Sequence, residues 1–264
     1  MFVDTHMHEM TCSKDSFLKL EEMVEIAREK GLGAICITDH DDMGLKEYAA
    51  EYSKKTGFPI FVGIEFFSLQ GDIIAFGIEE YPDERISAQD FIDLVKAQGG
   101  FCFAAHPFRY NNRGLEENLR TVKGLDGLEV LNGSTSVEAC QKAARYAQEL
   151  GLCTMGSSDC HVPEKVGVCA TWFPEEVKTM EEFMQALKKG GMKPAYYEEG
   201  ANTGGTRVWK WIPEGRILRI DVFRLLYNNS INYIFTFSIN NDRIFLYVLI
   251  VGMVMERWNH YDYS

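Results

Sequence analysis

Short apolar runs alternate with amphipathic ones from the first residues to about residue 190. Residues 2–6 read as a strand. In residues 18–30, Leu20, Met23, Val24 and Ala27 fall on one helical face, and Gly31 follows as a stop. Ala34-Ile35-Cys36-Ile37-Thr38 has the length of a buried parallel strand, and a helix over 44–55 ends before Gly57. The next strand, 59–64, ends at Glu65. A hairpin-like insertion follows, with Gly71-Asp72 between two apolar runs, and closes at Tyr81-Pro82-Asp83. Ser87 opens a helix that Gly99-Gly100 stops. Strands over 101–105, 128–131, 152–155 and 166–173 alternate with a weak helix over 115–122 and a strong one over 137–150. A last helix, capped by Thr179, runs to Lys189.

This is about seven strand–helix units. Strict alternation predicts an α/β fold of parallel strands with right-handed crossovers, either a barrel or an open doubly wound sheet. No G-x-G-x-x-G follows the first strand and no G-x-x-x-x-G-K-[ST] occurs, which argues against a dinucleotide or P-loop site. From about Gly200 the rhythm is lost. Trp209-Lys210-Trp211 and long Ile/Phe/Tyr/Asn-rich runs replace it, with a β-hairpin predicted around Asn240-Asn241-Asp242. The 12 uncharged residues 244–255 fall short of the ~20 that a membrane helix needs. The domains expected are therefore 1–199 and a C-terminal extension, 200–264, to which no role is given.

Composition changes this picture in two respects. A formal net charge of −12 repels nucleic acid and anionic membranes, so no stable nucleic-acid binding is expected. It also repels phosphorylated substrates unless bound cations reverse the field locally. The seven cysteines are scattered with no C-x-x-C pair, and no basic-then-apolar leader opens the chain. Both point to a reduced, cytoplasmic protein.

The histidines carry the chemistry. Of the six, His6, His8, His40, His106 and His161 all lie at or just past the ends of predicted strands, and His260 stands apart. Asp4, Asp39, Glu65 and Asp159 occupy matching places. Period-two alternation puts His6 and His8 on the same side of their strand. Packing gives no reason to gather five imidazoles on one rim, whereas a polynuclear centre of zinc, manganese or iron does.

Asp4-x-His6-x-His8, Thr38-Asp39-His40-Asp41, Gly63-Ile64-Glu65, His106-Pro107 and Asp159-x-His161, in this order and context, resemble the PHP (polymerase and histidinol phosphatase) family over residues 1 to about 198. The resemblance implies a distorted seven-stranded β/α barrel with two or three divalent ions. It implies that His6, His8, Glu65 and Asp159 hold one metal, with Glu65 bridging to a second that His106 also ligates. His40, His161 and Asp15 would hold a third. Where many relatives have a hairpin histidine this chain has Asp72, and Asp4 is expected to orient a histidine from behind.

Neighbouring ions of this kind activate water and stabilise a developing oxyanion. The expected activity is metal-dependent hydrolysis of small phosphate esters, such as nucleotides or histidinol-phosphate-like monoesters, with Asp159 and His161 at the reacting centre. Arg109, three residues past His106, is placed to clamp a phosphate bidentately. Arg113 and Asn132 are further substrate-contact candidates. Cys160, Ser157 and Ser158 read as loop residues, not nucleophiles. Two alternatives stay open: a metal-dependent amide or ring hydrolase on a related barrel, though no strand-end lysine is placed to carry a carbamate, and a non-catalytic metal-binding module.

Overall fold

The computed structural model describes residues 1–198, 208–211, 233–240 and 243–250. Its strands are β1 (Phe2–Asp4), β2 (Ala34–Ile37), β3 (Ile60–Val62), β4 (Ile64–Phe67), β5 (Asp72–Phe76), β6 (Phe101–Ala104), β7 (Gly127–Asn132), β8 (Cys153–Ser157), β9 (Cys169–Trp172), β10 (Lys193–Glu198), β11 (Val208–Trp211), β12 (Tyr233–Asn240) and β13 (Arg243–Ile250). The helices are α1 (Leu20–Glu29), α2 (Lys46–Thr56), α3 (Ala88–Ala97), α4 (Val137–Leu150) and α5 (Met180–Lys189).

Helix ends follow local chemistry. Ser87 and Ser136 accept the first free backbone N–H groups of α3 and α4, and Thr179 with Glu182 forms a reciprocal capping box on α5. Gly57 and Gly151 end α2 and α4 in the left-handed conformation. The predicted helix over 115–122 shrinks to a 3-10 turn, Glu116–Arg120, in which only Leu119 is buried. The strand expected from Val166 begins at Cys169, because Gly167 turns the chain at φ +62°.

The fold is mixed α/β, but the ladders of the described residues do not close into the expected seven-stranded barrel. They form a six-stranded sheet, β11-β10-β9-β1-β2-β3, a five-stranded sheet, β4-β5-β6-β7-β8, and the hairpin β12-β13. At one seam the chain crosses from β3 to β4 at Gly63, where a Cβ would come within 2.5 Å of Ala75 O. At the other seam a side chain stands in for a strand partner. Thr171 Oγ1 accepts from Gly156 N at 3.0 Å and pairs with Gly156 O at 2.8 Å, which satisfies β8 without a ladder to β9. Single bridges, Met7 to Cys160 and His40 to Glu65, tie the two sheets on the rim side. Strands β5, β9 and β10 pair antiparallel with their neighbours, so strict parallel alternation fails as well.

Both sheet faces are buried, which explains the continuous apolar strands. Val3, Ala34, Cys36, Phe61, Ile74, Phe76 and Phe103 face a core shared with Phe183 and Leu187 of α5. The alternate residues Ile35, Ile37, Val62, Ile73, Ala75 and Ala104 face the other core, with α1 to α4.

Met1–Leu218 forms one compact unit and Arg219–Ser264 another. The sequence pattern gave no sign of β10, in which Pro194 pairs with Thr171, since proline reads as a strand breaker. Strand β11 lies in the stretch set aside as an extension, yet it continues the first sheet. Trp209 stacks on Phe2 at 4.9 Å and donates Nε1–H to Lys30 O at 2.7 Å. In the second unit, β12 and β13 pair antiparallel with Asn240 opposite Arg243, so the hairpin is present but Asn240, expected in the turn, belongs to the ladder. His260 lies outside the described residues. No helix among the described residues is long and apolar enough to cross a membrane.

Candidate metal centre

The chain extends past β1 along its rim-side end, and this segment carries the first ligands. Backbone bonds hold it between the ends of β2 and β8: Thr38 N donates to Met7 O, Asp159 N to His6 O and His8 N to Cys160 O. His6 and His8 consequently point the same way, with their Nε2 atoms 2.9 Å apart. His40 follows β2, Glu65 lies on β4, His106 follows β6, and Asp159 and His161 follow β8. The five imidazoles form one connected array. His8 has centroid distances of 4.2 Å to both His40 and His161, and His6 lies 5.7 Å from His106.

Three turns here are strained. His106, Asp159 and Asp41 have φ values of +26°, +51° and +51°, a region non-glycine residues rarely occupy. Surrounding contacts over-determine them, as they do at functional sites. Asp41 N donates to Glu65 O, and His106 N donates to Glu129 Oε2 at 2.7 Å.

The carboxylates sit among the imidazoles. His106 Nε2 is 2.9 Å from Glu65 Oε1, and His40 Nδ1 is 2.7 Å from Glu65 Oε2. His6 Nε2 stands 3.5 Å from Glu65 Oε1 and 3.6 Å from Asp159 Oδ1; His8 Nε2 stands 3.5 Å from Glu65 Oε2 and 3.4 Å from Asp159 Oδ1. Asp15, largely exposed, reaches His40 Nε2 at 3.2 Å and His161 Nε2 at 3.5 Å. Asp72 Oδ2 lies 3.7 Å from His106 Nε2.

These atoms fit divalent ions. Separations of 3.4–3.6 Å are too long for hydrogen bonds. They match ligand spacing around a tetrahedral ion, about 3.4 Å for bonds of ~2.1 Å. Glu65 Oε2 is buried without a well-formed hydrogen bond, a costly state for a carboxylate oxygen that no ion shares. Four groupings bring ligand atoms within 4.8 Å of one another: His8–His40–His161, His6–His106–Asp159, His6–His8–Glu65 and Glu65–Asp72–His106.

Protons and charges compete for the same places. Burial works against a charged His6, but Asp159, Glu65 and Glu129 outweigh it and raise its pKa well above normal. Burial pushes His8 down to about 3. Burial would raise Glu65, yet His6, His106 and His40 hold it well below the usual carboxylate range. Burial and the neighbouring Glu65 raise Asp72 to about 6.

Behind these residues lies a layer of which the sequence reading named Asp4 and Asp39 but missed Glu129. Glu129, on β7, accepts from Asn132 Nδ2 at 2.9 Å and from the Ser157 hydroxyl, and meets His6 Nδ1 at 3.1 Å. A lone glutamate inside the apolar strand Gly127–Asn132 was the available signal. Ser13 donates to Asp39 Oδ1 at 2.7 Å and lies 3.1 Å from His8 Nδ1. Asp4 accepts from the backbone N–H groups of Ser158 and Gly167 at 3.0 and 3.2 Å. It pins two loops and touches no other site residue's side chain through those bonds.

The substrate-contact candidates are engaged with protein groups. Arg109 donates to the Asp159 carboxylate, to Asn132 Oδ1 at 2.9 Å and to Thr135 Oγ1 at 3.0 Å. Asn132 spends its amide inside the protein, with Oδ1 also accepting from Ser134 N and Nδ2 donating to Glu129 and Asp159. It holds Arg109 and the carboxylates in place. Cys160 is fully buried, and burial raises its thiol well above the usual range.

Fold and site together define a mixed α/β protein with a histidine–carboxylate cluster of the composition of a polynuclear metal centre. Residues 4–159 match the PHP domain and residues 137–191 the PHP-associated C-terminal model, so the chain belongs to the PHP-domain family. It is 35% identical over 85 residues to a 3′,5′-nucleoside bisphosphate phosphatase of Chromobacterium violaceum, a match covering 31% of this chain and 30% of that protein. It is 24% identical over 239 residues to a "probable phosphatase" of Caldicellulosiruptor bescii, covering 72% and 96%. The fold is similar to that of a lesion-specific endonuclease from Pyrococcus furiosus, with a TM-score of 0.59, 19% identity, and coverage of 73% of this chain and 57% of that one.

Proposed function

We propose that the protein is a metal-dependent phosphoesterase of small phosphate esters. The observation that carries the reading is the convergence of His6, His8, Glu65 and Asp159, whose histidine–carboxylate separations of 3.4–3.6 Å suit a shared ion and not a hydrogen bond. Divalent ions held there would supply an activated water and stabilise charge on the transferring phosphoryl group. His6, His8, Glu65 and Asp159 would hold one ion, and Asp15, His40 and His161 another at the mouth. His106, grouped with His6 and Asp159, adds a ligand to the first ion.

The chain's own residues do the rest. Arg109, fixed by Asn132 and Thr135, lends a guanidinium that faces a phosphate oxygen beside Asp159. Arg113 supplies a second cationic edge. His161, partly exposed, stands beside Asp15 at the mouth. Arginine and ions together offset the repulsion that −12 imposes on an anionic substrate.

The loops also bear on substrate class. Met10, Phe17, Leu69 and Tyr110 are four of the five large apolar side chains exposed among the described residues. Each lies within three residues of His8, Asp15, Asp72 or Arg109. Such a rim suits an ester with a flat apolar group, a nucleoside for instance, next to its phosphate. The 3′,5′-nucleoside bisphosphate phosphatase among the relatives supports the same class. The seven free cysteines support a cytoplasmic location.

The test is turnover of an aryl phosphate after reloading with manganese, iron or zinc, with and without chelator. Nucleotides and histidinol phosphate are then compared side by side. Absence of any chelator-sensitive phosphoester hydrolysis defeats the proposal.

A further inference from the structure

One corner of the centre differs from the rest. Glu65, Asp72 and His106 gather ligand atoms within 4.8 Å, yet Asp72 is already held on both oxygens. Arg113 donates Nε–H to Asp72 Oδ2 at 2.7 Å and Nη2–H to Oδ1 at 2.9 Å, a bidentate fork. The backbone fixes the same pair: Asp72 N–H donates to Arg113 O at 2.7 Å. Gly71 presses against Gly114, where a Cβ would approach the carbonyl carbon to 2.6 Å. The guanidinium also lies over Phe67, 4.5 Å from the ring centroid, with Nη2 3.5 Å from His40 Nδ1.

The contrast with Asp159 is informative. Arg109 and Asn132 hold Asp159 through Oδ2 alone, which leaves Oδ1 facing His6 and His8 at 3.6 and 3.4 Å. Each oxygen of Asp72 instead accepts from Arg113. A divalent ion on Asp72 would also stand beside a guanidinium that cannot lose its charge. Asp72 is fully buried, so little water screens the two cations from one another.

We propose that the Arg113 guanidinium serves as a fixed cation at the Glu65–Asp72–His106 corner, in the place a further divalent ion would take. This rests on the metal-centre reading above. The centre then fills with one ion fewer than its carboxylates and imidazoles could hold. A phosphate entering on that side meets an arginine edge instead of a metal.

The experiment counts manganese bound to the full chain, by equilibrium dialysis and metal analysis, for wild type, Asp72→Asn and Arg113→Gln. Asp72→Asn is expected to bind as many ions as wild type, because Asp72 holds none. Arg113→Gln is expected to bind one more, because the corner is freed. Loss of an ion in Asp72→Asn, or no gain in a folded Arg113→Gln, overturns the role given to Arg113. If circular dichroism shows Arg113→Gln to be unfolded, the Asp72→Asn count decides alone. A wild-type protein that binds no ion at all defeats the metal-centre reading itself, an outcome separate from the other two.

Discussion

His6 and Glu129 stand 123 residues apart in the chain and meet at 3.1 Å, Nδ1 to Oε1, with both side chains fully buried. Glu129 is thus a positioning residue: it fixes the ring of His6 so that Nε2 faces His8, Glu65 and Asp159. Second-layer carboxylates of this type typically contribute 10–100-fold in metal affinity. Glu129→Gln is therefore expected to weaken the tightest bound ion by about 10–100-fold, read by competition with a chelating dye. An unchanged affinity in a folded variant would assign Glu129 to packing alone.

The difference between what was legible in the sequence and what was not follows from range. The first-layer residues could be read because strand ends are local features: each of His6, His40, Glu65, His106 and Asp159 follows an apolar run. Glu129 could not be assigned, since its partners His6, Ser157 and His106 come from three other strand ends. The barrel expectation failed for a similar reason. The ladder stays open where Thr171 occupies the Gly156 backbone, next to antiparallel β9 and β10, and hydropathy carries neither strand direction nor a hydroxyl's partner. Strand β10 was hidden by Pro194, which is tolerated because it lies just past the Ala195–Trp211 end of the β11 ladder, where no donor is needed on that side.

Metal affinity should depend on pH through His40. Burial opposes a charge on this ring, but Glu65 and Asp15 outweigh it and raise its pKa from 6.5 to about 9. In the metal-free protein the proton therefore stays on until about pH 9 and must leave before an ion binds. Affinity is expected to rise from pH 6.5 to about 9 and flatten above it. The sign for stability is opposite. A raised folded pKa stabilises the metal-free protein fully below 6.5, and that contribution is lost as pH rises through about 9. Melting curves in chelator should fall over this window. A melting temperature that climbs across it would contradict the assignment.

Arg109 offers a test of geometry at constant charge. Its fork spans Asp159, Asn132 and Thr135, which a lysine ammonium cannot reproduce. Hydrogen bonds to charged groups contribute about 1.5–3 kcal/mol. Arg109→Lys is accordingly expected to lower kcat/KM on an aryl phosphate by about 10–100-fold. Equal turnover by the two proteins would remove Arg109 from the reaction.

Stability rests on the core that α5 covers. Phe183 is fully buried and stacks on Phe61 at 4.4 Å, with Phe76 and Phe173 at 5.1 and 5.6 Å. Deleting a ring of this kind costs about 3–5 kcal/mol. A domain of this size melts roughly 2–4 °C lower per kcal/mol. Phe183→Ala should thus lower the melting temperature by roughly 6–20 °C. A smaller shift would mean that neighbouring side chains collapse into the space.

Cys160 sits between two proposed ligands, and its position invites a nucleophilic role that the surroundings deny. The side chain is fully buried, and its residue pairs with Met7 across the rim seam. Burial, with Asp4 and Asp159 nearby, raises the thiol well above its usual pKa. A thiolate is the reactive form, so the folded protein should resist iodoacetamide at Cys160 at neutral pH. Cys160→Ala removes one sulfur from a packed site without touching a metal-facing atom. Its chelator-sensitive phosphoester turnover is expected within about threefold of wild type, a change of under ~1 kcal/mol in barrier. Loss of turnover together with rapid alkylation of the wild type would put sulfur, and not a metal-activated water, at the centre of the reaction.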